Sequence, residues 1–338
     1  MSYHIALLPG DGIGPEVIAS ARSVLEASGL DLRFNQLDVG YGCFQEQGSA
    51  LPAATLAAVR VAHAALLGAV GSPIQRVEGY RSPVVQLRRE LDLFACIRPV
   101  RTPPLPDARP GIDMLIVREN TEDLYIGRER REGDSAIAER LITRQASERI
   151  VRWALEHALP QPSSHHPRRI TIVHKANVLR ETCGLFREAA LDVLRDAGSA
   201  IVDEMLVDNA AYQLVRRPEQ FDIMITTNMF GDILSDIASA WGGGLGLAVS
   251  ANIGAEHAIF EPVHGSAPDI AGRGIANPLA AIAAAAVMLR HLGEEHSARR
   301  IEQAIDAVLR ERIWPPDLGG HATTEEVTRA VVERLRDK

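Results

Sequence analysis

Leu7-Leu8-Pro9-Gly10-Asp11-Gly12-Ile13-Gly14-Pro15-Glu16-Val17 carries an apolar run that starts near His4 into a glycine turn, and from there into a helical pattern. An apolar strand feeding glycines and a helix opens a dinucleotide-binding βαβ unit when the glycines are spaced G-x-G-x-x-G. Here the third glycine comes two residues after the second, not three, and no acidic residue ends a second strand at the distance that unit needs. The stretch reads instead as a tight turn with Pro15 in the first helical turn. It excludes a Rossmann fingerprint and keeps an α/β fold open.

The same alternation continues along the chain. Short apolar runs near residues 64 (AALLGAV), 113 (DMLIV), 170 (ITIVH) and 221 (FDIMITT) alternate with amphipathic patterns at Pro15–Ser28, Ser147–Ala158, Leu185–Ala197 and Ser297–Arg310. Such alternation predicts an α/β architecture, and 338 residues suit two domains. Proline-rich stretches at 98–111 and 157–169 read as connections, the first as a domain crossing. His165 and His166, in the second, are adjacent loop residues whose side chains point apart, and they receive no role.

Composition narrows the function classes. Hydrophobic residues make up 46% and charged residues 24%, ordinary values for a folded globular chain. A net charge of −8 repels a phosphate backbone and argues against nucleic acid, while leaving room for arginines gathered in one cleft. Cys43, Cys96 and Cys183 lack metal or redox spacing and suit a reducing cytoplasm. The N-terminus reads as a strand and not as a signal peptide. The 11-residue apolar run Leu279–Leu289 is too short for a bilayer span of about 20 residues and reads as a buried helix.

Several segments carry candidate chemistry. Asp232 and Asp236, in Asn228-Met-Phe-Gly-Asp-Ile-Leu-Ser-Asp236, share one helix face and need a cation. A hard divalent ion is favoured over a solvated acidic face because Phe230, Ile233, Leu234 and Ile237 surround the pair. Asp208 is a third, weaker candidate ligand. Arg88, Arg98 and Arg118 can clamp carboxylates, although each alone is as well read as structural. Lys175 ends an apolar strand and can take a proton, and Tyr125 can deliver one, although each alone reads first as a surface ammonium or a packed ring. The run from Glu261 to Asn277-Pro278 is rich in small residues that let backbone N–H groups approach phosphate; a plain Gly/Pro turn is its other reading.

Together, LLPGDGIGPEV (7–17), LRRELDLFACIRPV (87–100), VRENTEDLY (117–125), HKANVL (174–179), NMFGDILSD (228–236), HGSAPDIAGRGIANP (264–278) and PDLGG (316–320) resemble the β-decarboxylating dehydrogenases, which include isocitrate, isopropylmalate, homoisocitrate and tartrate dehydrogenases. The resemblance covers nearly the whole chain. It implies two α/β domains of the isocitrate/isopropylmalate dehydrogenase type, not a Rossmann fold. A discontinuous cofactor-binding domain would span 1–98 and 249–338, and 99–248 would carry the dimer contact, metal and substrate.

By motif position, the resemblance implies that Arg88, Arg98 and Arg118 hold the carboxylates of a malate-type substrate, with Ser82, Val84, Val85, Tyr125, Lys175 and Asn177 around it. Asp232, Asp236 and a partner subunit's Asp208 would bind Mg²⁺ or Mn²⁺, and Lys175 would also reach the site from the partner, making the homodimer or dimer of dimers a shared-site enzyme. Lys175 is the implied base and Tyr125 the implied proton donor. His264, Gly265, Ser266, Ala267, Asp269, Ile270 and Asn277 would bind the dinucleotide. Asp269-Ile270, standing where NADP-using isocitrate enzymes resemble Lys-Tyr, favours NAD, since a carboxylate accepts from ribose hydroxyls and repels a 2′-phosphate; Asp269 can also be read as a helix N-cap.

Homoisocitrate is the expected substrate, ahead of isocitrate and 3-isopropylmalate. Isocitrate enzymes resemble Ser-x-Asn where Ser82-Pro83-Val84 stands, and isopropylmalate enzymes resemble a Leu-Leu pair at Val84-Val85. Cys96 departs from the Asn usual in isopropylmalate and homoisocitrate enzymes and matches many isocitrate enzymes. A non-catalytic regulatory subunit, the reading from another class, would have lost site residues that this chain keeps.

Overall fold

The computed structural model describes residues 2–75, 77–158, 169–195, 198 and 200–336. In chain order the strands are β1 (Tyr3–Gly10), β2 (Leu32–Gln36), β3 (Ala64–Ala69), β4 (Ala95–Arg101), β5 (Asp113–Glu119), β6 (Glu129–Glu132), β7 (Ser135–Ala138), β8 (Arg169–His174), β9 (Ile201–Leu206), β10 (Ile223–Thr226), β11 (Val249–Ile253) and β12 (Ala258–Pro262). The chain divides into two compact units, one of Met1–Asp92, Pro103–Ala108 and Gly243–Lys338, the other of Leu93–Thr102 and Arg109–Gly242. Arg98 therefore lies in the second unit, because β4 pairs with β5 along its whole length, Ala95 opposite Glu119 through Arg101 opposite Asp113. The stretch 98–111, expected to be all connection, starts as the second half of β4 and becomes a loop only after Arg101.

The first unit orders its strands β2-β1-β3-β12-β11, parallel except for β11 against β12. The turn after β1 needs its glycines. Gly10 and Gly12 have φ of 75° and 59°, and a Cβ on them would stand 1.9 Å from the Ala69 and Ser266 carbonyl oxygens respectively. The helix then begins at Gly14 and ends at Ala27, with Pro15 in its first turn. Asp11 accepts from the backbone N–H groups of Tyr41, Gly42 and Gly71 at 2.7–2.8 Å, so its carboxylate ties this turn to two other loops. The Ala-rich run forms the buried helix Leu279–His291, whose small side chains let it lie close on β11, β12 and β3.

The second unit orders its strands β4-β5-β10-β8-β9, with β4 antiparallel to β5 and the others parallel. Ile116, Val173, Leu214, Phe221, Met224 and Leu234 form its core and fix the helices Val207–Arg216 and Asn228–Ser239 on the sheet. The pair β6–β7 is a separate, fully exposed hairpin. The helix expected from Ser147 starts earlier, at Arg144, because the Thr143 hydroxyl accepts from the Ala146 N–H and sets the end; it runs to Trp153 and continues as a π turn to Ala158. Residues 159–168, with His165 and His166, and residues 196–197 of the helix expected at Leu185–Ala197 lie outside the described residues. That helix is Thr182–Leu194. Among the described residues no helix is long and apolar enough to cross a membrane.

Candidate active site

Parallel strands end in register in the second unit, and candidate residues follow those ends. Thr226, the last residue of β10, pairs with Arg118 on β5 and Val173 on β8, while His174 pairs with Leu206 on β9. One residue past β8 is Lys175. Two past β9, in the first turn of its helix, is Asp208. Beyond β10, Asn228–Ser239 presents Asn228, Asp232 and Asp236, and the one-turn helix Leu124–Ile126 after β5 presents Tyr125. Carboxyl ends of parallel strands are where open α/β sheets bind ligands.

The structure brings five predicted residues into one cluster. Arg118 is 1% exposed; its Nε and Nη2 donate to Asn228 Oδ1 at 3.0 and 2.6 Å, its Nη1 donates to Asp232, and its guanidinium lies 5.1 Å from the Tyr125 ring centroid. Arg98 Nη1 donates to Asp236 Oδ1 at 3.0 Å and to the Ser235 hydroxyl at 2.7 Å, and its Nη2 is 3.4 Å from Asp232. The Tyr125 hydroxyl donates to the other oxygen of Asp232. Burial, followed by that hydrogen bond to a carboxylate, raises the Tyr125 pKa, against the lowering effect of Arg118. A protonated phenol is thus held beside the Arg118 guanidinium.

The carboxylate pair does receive its cation, in the form of Arg98. The helix face is more open than the apolar neighbours suggested: Asp232 and Asp236 side chains are 37% and 61% exposed, and Ile233 is 50% exposed. Two accessible carboxylates one helical turn apart are hard oxygen donors and fit a small divalent cation. Within one chain Asp208, expected from a partner subunit, does not join them: among the described residues no three His, Cys, Asp or Glu side chains converge as a metal site. It pairs instead with Lys175, whose ammonium donates to it and lowers its pKa. Asn177 stands in the turn after Lys175, which is closed by N–H groups of Val178 and Leu179 donating to the Lys175 carbonyl.

In the first unit, Ser82 precedes the helix Pro83–Glu90 without capping it, Val84 and Val85 are partly exposed on its first turn, and Arg88 lies in its last. Arg88 Nη2 is 3.4 Å from Glu261, which also accepts from Asn252 Nδ2 at 2.7 Å, and among the described residues Arg88 Nε is buried without a hydrogen-bond partner. The segment 264–277 is tied to the first glycine turn by Ile13 N–H donating to Ser266 O at 2.9 Å and by Gly272 N–H donating to Glu16. Gly265 is exposed, and Ala267 has a φ of 38°. His264 Nε2 is buried and without a hydrogen-bond partner among the described residues, and burial lowers the His264 pKa, leaving a neutral ring with a polar atom that a bound cofactor would use. Asp269 caps no helix: it and Ile270 sit in the turn around Pro268–Gly272, with Asp269 exposed. Asn277 is committed to the fold, donating to Asp317 at 2.9 Å and accepting from Leu279 N–H at 3.0 Å.

Sequence reasoning passed over Asn228, Ser235 and Glu261. Asn228 was within reach of it, since 228, 232 and 236 repeat at four-residue spacing on one face. Nothing local announces Glu261 as the partner of Arg88, 173 residues away.

The family model described as isocitrate/isopropylmalate dehydrogenase matches residues 4–331. The chain is 52% identical over 336 residues to an isocitrate/homoisocitrate dehydrogenase of Thermus thermophilus, covering 99% of both chains. It is 46% identical over 337 residues to a 3-isopropylmalate dehydrogenase of Methanothermobacter thermautotrophicus, again covering 99% of both. A crystal structure of isocitrate dehydrogenase from Methylococcus capsulatus superposes with a TM-score of 0.93 at 40% identity over 99% of both chains.

Proposed function

Because the chain belongs to the isocitrate/isopropylmalate dehydrogenase family and is a decarboxylating dehydrogenase, we propose that it converts homoisocitrate and NAD to 2-oxoadipate, CO2 and NADH. The observation that carries this reading is the cluster on the Asn228–Ser239 helix, where two arginines, a phenol and two accessible carboxylates meet beyond the ends of parallel strands. Such a set suits a polycarboxylate that must be gripped, ionised and reprotonated.

In this reading Arg98 and Arg118, with Arg88, grip the substrate carboxylates by paired N–H donors. Lys175 of the partner subunit, as its free amine, takes the C2 hydroxyl proton, directly or through water, as hydride leaves C2 for NAD. Loss of CO2 leaves an enolate, and Tyr125 returns a proton to C3. A Mg²⁺ or Mn²⁺ ion on Asp232, Asp236 and Asp208 of the partner subunit would supply Lewis acidity at the C2 oxygen and offset the enolate charge. The pairing of Lys175 with Asp208 within one chain favours their delivery together to a neighbour's site, and hence a dimer or dimer of dimers.

Val84 and Val85 favour homoisocitrate. Neither side chain can hydrogen-bond a carboxylate, but with Arg81 and the Ser82 hydroxyl, which does not cap the helix, beside them they suit one extra methylene ending in a carboxylate. A methylene is worth only about 1–3 kcal/mol of discrimination, so side activity on isocitrate is expected. A panel of homoisocitrate, isocitrate, 3-isopropylmalate and tartrate should give the highest kcat/KM for homoisocitrate; a tenfold higher value for isocitrate or 3-isopropylmalate would overturn the assignment. Exposed Asp269 predicts a lower kcat/KM with NADP than with NAD, and equal values would sink that preference.

A further inference from the structure

Asp123 is the most completely buried acid of the second unit's active-site elements, at 0% exposure, and its φ of 67° is a left-handed conformation that a non-glycine residue adopts only when its surroundings hold it there. Those surroundings are explicit. Arg140, just past the β6–β7 hairpin, donates to Asp123 through Nε at 2.6 Å and Nη2 at 3.1 Å, a two-pronged grip on both carboxylate oxygens. Asp123 N–H donates to Leu141 O at 2.8 Å, closing the same segment from the backbone side. The carboxylate also accepts from Leu124 N–H at 2.9 Å and from Met229 N–H at 3.2 Å. Arg140 is fixed in turn by the Thr227 hydroxyl at 2.9 Å, by Cys183 Sγ at 2.9 Å, and by the Phe230 ring, 4.8 Å from its guanidinium carbon.

Each of these bonds lies next to the cluster without entering it. Leu124 precedes Tyr125, and Met229 is in the first turn of the helix that carries Asp232. One carboxylate therefore joins the backbone that aims the phenol to the backbone that aims its acceptor. We infer that Asp123 and Arg140 are positioning residues that hold the Tyr125 hydroxyl on the Asp232 side of the site for proton delivery to C3. The inference rests on the proton-donor role proposed for Tyr125.

The two residues work as a unit, since either charge alone would be left buried without its partner. Three backgrounds are compared: wild type, Asp123→Asn, and the double variant Asp123→Asn/Arg140→Gln, which removes both charges together and protects against misfolding from a lone buried guanidinium. Tyr125→Phe is introduced into each, and kcat and KM are measured alongside the far-UV spectrum and Tm. In wild type, Tyr125→Phe should lower kcat about 10²-fold, within the usual range for a general acid. Asp123→Asn and the double variant should each lower kcat at least tenfold with KM changed little. Adding Tyr125→Phe to either should then cost no more than about tenfold, leaving the combined loss near that of Tyr125→Phe alone, because residues acting through one another are non-additive. Full additivity in a folded double variant would overturn the positioning role while leaving Tyr125 as the donor. An unaffected kcat in Tyr125→Phe alone would remove the donor role and the inference with it.

Discussion

Replacing Lys175 by Ala is expected to lower kcat by about 10²–10⁴-fold, the contribution of a positioned base. Its ammonium donates to Asp208, and the two side chains are 25% and 65% exposed, so the loss should barely move Tm. Catalytic collapse in a chain of unchanged stability separates a chemical role from a structural one. The sharing of sites is tested by mixing Lys175→Ala and Arg118→Ala chains. If Lys175 serves the neighbour, a mixed dimer has one intact site, with Arg118 from the first chain and Lys175 from the second, and one doubly defective site. Random reassortment would then restore about a quarter of wild-type activity, since half the dimers are mixed and each has one working site of two. No recovery after verified subunit exchange would mean that each chain uses its own lysine.

Asp232 and Asp236 were legible as a pair because helical spacing is a local property. That Arg98 lies between them was not, since 134 and 138 residues separate it from them and only the β4–β5 pairing and the packing of the Asn228–Ser239 helix bring them together. The strands Leu7–Leu8 and Ile170–Val173 were legible as unbroken apolar runs buried on both faces. β2 and β9 were not: most of their residues are exposed or partly so, and their alternation is diluted by charge, as in Ile201-Val-Asp-Glu-Met-Leu206. Rejecting the dinucleotide fingerprint was sound for a reason visible in the structure, where Gly10 and Gly12 serve close backbone contacts with Ala69 and Ser266. Asp123 was silent because its signal is a backbone angle together with a partner beyond a hairpin, and neither is written in spacing.

Arg118→Lys is expected to reduce kcat/KM by about 10²–10³-fold, comparable to removing a donor aimed at developing charge. Charge is conserved in this change, so the effect isolates geometry. The guanidinium directs Nε and Nη2 at Asn228 Oδ1 and Nη1 at Asp232 while its plane lies near the Tyr125 ring. An ammonium has one nitrogen on a flexible stem and cannot reach Asn228 with two N–H groups while also serving Asp232. Because Arg118 is 1% exposed, no water replaces the missing donors, and stability should fall by about 1–3 kcal/mol as well. Gly231→Ala gives an independent approach: an added Cβ would stand 2.6 Å from Arg118 Cγ, pushing the arginine aside with every donor still present. If orientation of the guanidinium is what matters, both variants should lose kcat/KM for homoisocitrate, the lysine more severely. A value for Arg118→Lys within threefold of wild type would show that charge alone suffices at this position, and would remove the paired N–H donors of Arg118 from the proposed mechanism.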